Sequence, residues 1–324
     1  MILLPRRILH VGCTSHTGER LALRLSRLGV EVRGLTRDPA SPVAKRLALA
    51  GIDIREGDCL RRWTLWEALE GCEALVSTAH IRYSPALVQA CHRFSIERLV
   101  LTSSTRRFSS LKDPTAVAVI NAELPVTESG LDWTLLRPTM IFGGKRDQNV
   151  ERLVRWLSRK NWFPLFGGGK NQVQPIYVED LVDALVAVLR SPRDTAKRDF
   201  NLAGPQPLTY RQFIEEIVQA LDRDVRLMTV PVPLGVLAAK VLPGVHPDMI
   251  RRMREDKTFD IAPAREAFQF QPHPFRDAIR MKVAGRAEVE AIYAAASGDA
   301  LPRNADLLES PVPPGPGETA PPRQ

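Results

Sequence analysis

Cysteine is scarce in this sequence. The four that occur, Cys13, Cys59, Cys72 and Cys91, follow neither a metal-ligand spacing nor a disulfide framework. That argues against a stapled secreted scaffold and against a zinc module, and it leaves packing residues of a reducing compartment, with no metal site expected. Long apolar runs are also missing. Residues 1–4 are too short for an export signal before Pro5-Arg6-Arg7, and the apolar stretch 230–242 carries Lys240 and falls far short of the ~20 residues that span a bilayer. The expectation is a cytoplasmic protein with no transmembrane span, in which 230–242 is a core or interfacial helix.

A dedicated basic arm is absent too. The formal charge is +8, yet the arginines are scattered along helices, so no specific nucleic-acid recognition is expected. A polyanionic cofactor, a membrane surface or a protein partner would exploit the same charge. From residue 299 on, the chain is rich in proline, glycine and polar residues and has too little apolar surface to offset ordering entropy. A disordered tail over 299–324 is expected, open to a protein partner.

What is present is an alternation. A buried strand, Ile8-Leu9-His10-Val11, breaks at Gly12-Cys13-Thr14-Ser15-His16-Thr17-Gly18 and runs into an amphipathic helix over 19–28, with Leu21, Leu25 and Leu28 on one stripe. A second strand over 30–35 stops at Thr36-Arg37-Asp38-Pro39. Strand, glycine turn, helix and strand in about thirty residues is the unit that binds a dinucleotide. Glycines let the backbone approach a pyrophosphate, and free amides at the helix N-terminus meet its charge.

The pattern continues with helices over 41–50, 61–69 and 85–94, and strands over 52–55, 74–79 and 98–102. The strands run out into Glu56-Gly57-Asp58, Ala79 and Ser103-Ser104. This predicts an α/β fold, a doubly wound parallel (Rossmann) sheet with ligands at the carboxyl ends of its strands. A helix over 150–157, a glycine turn at 167–169 and an amphipathic helix over 210–221, with Phe213, Ile214, Ile217 and Leu221 on one face, leave the alternation. The expected layout is a nucleotide-binding core over 1–143 and a smaller C-terminal α/β lobe over 144–298, with elements at about 176–204 returning to the core.

Gly12 and Gly18 with Ser15 midway look like the GxxGxxG turn of the short-chain dehydrogenase/reductase superfamily, with serine replacing the middle glycine. The motifs at Arg37-Asp38-Pro39, Glu56-Gly57-Asp58, Val76-Ser77-Thr78-Ala79 and Leu101-Thr102-Ser103-Ser104 follow that superfamily's order. The run Ser129-Gly130-Leu131-Asp132-Trp133 through Arg137-Pro138 to Gly143 is similar to the sixth strand and Arg-Pro turn of its extended and atypical members. So are Tyr177-Val178-Glu179-Asp180 and Phe200-Asn201-Leu202-Ala203-Gly204. The resemblance covers about residues 7–220, and its nearest branch is the epimerase/dehydratase-like and complex-I-subunit-like atypical group.

The resemblance implies a bound NAD(P)(H). Gly12, Thr14, Ser15, His16, Thr17 and Gly18 form its phosphate turn, and Ala79, Thr102, Ser103 and Pro138 shape the nicotinamide side. An acid at the end of the second strand suits the ribose of NAD, whereas a guanidinium suits the extra phosphate of NADP, so Arg37 points to NADP with NAD the weaker choice. Asp58 has two readings, an adenine contact in the resembling family and a cap for the following helix. The superfamily's hydride chemistry uses a tyrosine as acid/base and a lysine four residues later that lowers its pKa. Counting back from Ser129, those positions hold Thr115 and Val119, while Glu123 matches the glutamate that follows the lysine. No tyrosine lies between Tyr83 and Tyr177, Lys112 precedes Pro114, and Ser104 remains as the one candidate catalytic residue.

Three readings follow. The chain binds NADP(H) for structure, sensing or non-standard redox chemistry; or it is an NADP-dependent reductase or nucleotide-sugar epimerase/dehydratase that uses Ser104 with substrate or water for proton transfer; or it is a non-enzymatic interaction protein.

Overall fold

The chain alternates strand and helix from its first described residues. The computed structural model describes residues 4–110, 114–144, 146–234 and 255–285. Lys112, residues 235–242 of the apolar stretch, and the tail over 299–324 fall outside that range. The first half runs β1 (Arg7–Val11), α1 (His16–Arg27), β2 (Glu31–Thr36), α2 (Pro42–Leu49), β3 (Asp53–Glu56), α3 (Arg62–Leu69), β4 (Ala74–Ser77), α4 (Ser84–Arg93), β5 (Arg98–Thr102), α5 (Pro114–Thr127) and β6 (Asp132–Pro138). The second half runs β7 (Ile141–Phe142), α6 (Val150–Arg159), β8 (Trp162–Phe166), β9 (Gln172–Val173), β10 (Ile176–Tyr177), α7 (Val178–Arg190), α8 (Pro192–Thr195), β11 (Arg198–Leu202), β12 (Leu208–Thr209), α9 (Tyr210–Ala220), β13 (Arg226–Val230) and α10 (Ala262–Phe268). A further helix, α11, covers 275–285.

Seven strands form one parallel sheet in the order β11-β6-β5-β4-β1-β2-β3. Successive strand residues face opposite sides, so each strand feeds two cores. Ile8, Val100 and Leu136 pack with Leu21, Leu25, Leu181, Leu185 and Phe268 on the side of α1, α7 and α10. Leu9, Leu99 and Leu135 pack with Leu65, Leu87, Val119 and Val126 on the side of α3, α4 and α5. The sheet is thus covered on both faces, and its strand order reverses between β4 and β1. That reversal opens the crevice where ligands bind in such sheets. The four cysteines are buried and free, as packing residues.

Elements from the second half return to this sheet: β11 pairs with β6, and α7 packs against α1. The remaining ones build a third core, in which Phe142, Val150, Leu157, Leu165, Phe213, Ile217 and Phe275 pack together. Here β8 pairs with β13 in parallel and β9 with β12 in antiparallel fashion. Helix α9 starts on a reciprocal cap between Thr209 and Gln212 and buries Phe213, Ile214 and Ile217, while Leu221 ends it as the C-cap. Residues up to Val283 form one compact unit. Among the described residues no helix is long and apolar enough to cross a membrane.

Candidate functional site: a nucleotide cleft at the strand reversal

The glycine turn is built on two close approaches. Gly12 has a φ of +84°, and a Cβ there would come within 2.6 Å of the Ala79 amide nitrogen; a Cβ on Gly18 would lie 2.0 Å from the Gly12 carbonyl oxygen. Only glycine fits either place. Ser15, the residue in place of the middle glycine, is the N-cap of α1, and its hydroxyl accepts from the Gly18 amide at 3.0 Å. The Glu19 amide donates to the Ser15 carbonyl. First-turn amides have no partner inside a helix, so those of His16 and Thr17 remain for an anion.

Beneath the turn lies a chain of hydrogen bonds that fixes a tautomer. The Thr78 hydroxyl donates to the Gly12 carbonyl at 3.1 Å, so it must accept from its other neighbours, His10 Nε2 at 3.1 Å and the Ser15 hydroxyl at 3.3 Å. His10 therefore carries its proton on Nε2, and its Nδ1 is buried with no partner. Protonating that nitrogen would place an N–H where nothing accepts it, and burial pushes the His10 pKa down to about 3. His16 is held down to about 4, by burial first and then by the charge of Arg20. The turn itself is thus uncharged at neutral pH.

Next to the turn, at the ends of β1, β2, β3 and β4, is a cavity of about 370 Å³, bordered by Gly12, Thr14, Arg37, Asp58, Ala79 and Arg146 among others. Arg37 makes no hydrogen bond or ion pair with another described side chain. The neighbouring Asp38 turns one carboxylate oxygen onto the Ala40 amide at 3.0 Å. Asp58 does not cap the following helix, whose N-cap is Arg61 with no side-chain bond; one of its oxygens accepts from the Leu60 amide at 2.9 Å, ahead of that helix, and the residue borders the cavity.

The ends of β5 and β6 are arranged differently. Ser103 Oγ donates to Glu123 Oε1 at 2.5 Å, and Arg137 donates to the same carboxylate through Nε and Nη2, the latter at 2.8 Å. Arg107 joins the carboxylate from the other side, and Arg137 also pairs with Asp199 on β11. Phe108 lies against both guanidinium groups and against Phe259. Glu123 is 2% exposed. Ser104 accepts from the Arg106 amide at 3.1 Å as the cap of a short turn, and the Thr105 hydroxyl donates to the Pro138 carbonyl. Thr102 Oγ1 is buried without a partner. On α5, Thr115 is exposed and Val119 is buried in the apolar core beneath the sheet.

Of the residues singled out in the sequence, Gly12, Thr14, Arg37, Asp58 and Ala79 meet at the cavity. Ser15, His16, Thr17 and Gly18 form the helix start beside it, and Thr102, Ser103, Ser104 and Pro138 lie at the neighbouring strand ends, outside its lining. Arg146 and Tyr83 border the cavity and were not anticipated. Tyr83 follows β4 and had a positional signal, whereas Arg146 arrives from 132 residues beyond Thr14 and had none. Among the described residues no group of three or more His, Cys, Asp or Glu is placed to hold a metal ion.

Comparison with known proteins agrees with this geometry. Residues 12–162 match the NAD(P)H-binding family model. The chain is 30% identical over 134 residues to the mitochondrial NADH dehydrogenase [ubiquinone] 1 alpha subcomplex subunit 9 of Arabidopsis thaliana, covering 41% of this chain and 31% of that one. It is 29% identical over 104 residues to the N-acetyl-alpha-D-glucosaminyl-diphospho-ditrans,octacis-undecaprenol 4-epimerase of Escherichia coli O157:H7, covering 32% of this chain and 31% of that one. The matches span 31% to 66% of the length of such curated relatives. In fold, the UDP-glucose 4-epimerase of Thermotoga maritima superposes with a TM-score of 0.70 at 15% identity, over 87% of this chain and 99% of that one. Residues 12–162 are accordingly similar to an NAD(P)H-binding domain, and the chain shares its fold with 4-epimerases of known structure.

Proposed function

We propose that the protein binds NADP(H) in preference to NAD(H) and lacks the superfamily's tyrosine–lysine proton relay, so that the cofactor serves a structural or sensing role or a non-standard redox step. The observation that carries this reading is the contrast along one sheet edge. At the ribose end Arg37 lines an open cavity with no partner among the described side chains, where a 2′-phosphate would receive a guanidinium. At the relay end the corresponding helix offers an exposed threonine and a buried valine, and the Glu123 carboxylate is consumed by Ser103, Arg107 and Arg137.

Nucleotide released from the purified protein, followed by NADPH and NADH titrations of wild type and Arg37→Ala, tests it. The expected result is a preference for NADPH of at least about tenfold that Arg37→Ala abolishes, in line with one charged hydrogen-bonded contact. Equal affinities in the wild type would defeat the NADP assignment.

One observation favours an active enzyme as the second reading. Ser104 Oγ accepts from a backbone amide and keeps its own hydrogen available to a substrate oxygen. The 4-epimerase relatives make nucleotide sugars and simple carbonyl compounds the panel to try, with loss of reduced-nicotinamide absorbance as the readout. Turnover removed by Ser104→Ala would favour this reading over a silent cofactor.

A further inference from the structure

The phosphate turn has a charge problem that the second lobe solves. Its residues are uncharged, His16 included, and a helix N-terminus offers roughly half a positive charge to an anionic pyrophosphate. Arg146 reaches across from beyond β7. Its Nη2 donates to the Thr14 carbonyl at 2.5 Å and its Nη1 to Glu19 Oε2 at 2.9 Å, and the residue borders the cavity beside Gly12. Arg46 takes the other oxygen of Glu19, so that carboxylate is shared and cannot neutralise Arg146 alone.

The backbone that delivers this guanidinium is fastened. Asp147, with a fully buried side chain, accepts from the Asn149 and Val150 amides through Oδ1 and from the Gly143 amide through Oδ2. Lys282 on α11 donates to the Gly144 carbonyl at 2.6 Å and to Glu151 at 2.7 Å, and lies 3.7 Å from Asp147. The Arg146 side chain itself is 42% exposed. A fixed root and a partly free fork with five donors allow it to keep Glu19 and turn its remaining N–H groups from a carbonyl to a phosphate.

We propose that Arg146 is the cationic partner of the dinucleotide's pyrophosphate, so that the phosphate site is completed from the second lobe. This rests on the dinucleotide reading above. The test compares two probes on the full-length protein and its Arg146→Ala and Arg146→Lys variants: NADPH, which carries a pyrophosphate, and adenosine 2′-monophosphate, which reaches Arg37 without one. Affinities are read by calorimetry. Arg146→Ala should weaken NADPH by about 10- to 100-fold and leave adenosine 2′-monophosphate unchanged, which also shows that the variant is folded. Arg146→Lys should fall between, since it keeps the charge and loses the fork. Undiminished NADPH binding by Arg146→Ala would overturn the inference and leave the dinucleotide reading standing. Tighter binding would overturn it too, by showing that Arg146 plugs the site. A wild type that binds neither probe would remove the dinucleotide reading and this inference with it.

Discussion

Two ends of one sheet edge have taken opposite routes. Where β1 and β2 finish, the side chains of the glycine turn are small or neutral, the guanidinium of Arg37 has no partner among the described side chains, the backbone amides of His16 and Thr17 are open, and a cavity of about 370 Å³ remains. Where β5 and β6 finish, a carboxylate and two guanidinium groups saturate one another and an aromatic ring closes over them. The first arrangement keeps hydrogen-bonding capacity for something outside the chain, and the second spends it inside. The tie and the cleft are built from different strand ends, so one can change without disturbing the other.

Breaking the tie is the severest test of that contrast. Glu123→Gln removes the buried carboxylate between Arg137 and the partly exposed Arg107 and leaves Arg137 with Asp199 alone as its counter-charge, and such a loss costs about 3 kcal/mol. Urea unfolding should show a drop of that size with NADPH affinity little changed at the temperature where the variant is folded. A variant as stable as the wild type would mean that the cluster is no tie, and that Glu123 is held for chemistry.

The cleft end was legible in the sequence because its information is local. Gly12, Thr14 and Gly18 belong to one turn, and Arg37, Asp58 and Ala79 each follow a strand whose end the alternation locates. The tie was not legible: Ser103, Glu123, Arg137 and Asp199 come from β5, α5, β6 and β11, and only the folded sheet brings β11 beside β6. Arg146 escaped for the same reason, since nothing near residue 146 announces a partner at Thr14. Ser15 is a different case. Read as a lapsed glycine, it proves to be the cap of α1, which a serine opening a helical pattern already signals.

The next effect is smaller and depends on pH. Folded His10 titrates at about 3 and an unfolded histidine near 6.5. Between those values the unfolded chain binds a proton that the folded chain refuses, so the stability is complete above about pH 6.5 and declines as the pH falls. The slope attributable to this one site is up to ~1.4 kcal/mol per pH unit. It is isolated by subtracting the pH profile of His10→Gln from that of the wild type, which cancels the other titrating groups. A difference that stays flat from pH 7 to pH 4 would show that the buried Nδ1 finds a partner on protonation, and the cleft end would then be less finely closed underneath than its hydrogen bonds indicate.

The smallest effect sharpens the comparison by separating the turn's two tasks. Ser15→Ala removes the cap on the Gly18 amide and one of the two donors to Thr78, for a cost of about 1 kcal/mol. It also frees an amide at the N-terminus of α1, next to those of His16 and Thr17. The freed amide is one more donor for a phosphate, and a bound nucleotide would satisfy the group that the missing hydroxyl leaves open. Thermal melts should therefore show the variant below the wild type without nucleotide and the gap narrowing at saturating NADPH. A gap that widens instead would mean that the serine hydroxyl itself contacts the cofactor, and the turn would then bind its ligand through the side chain that replaced a glycine.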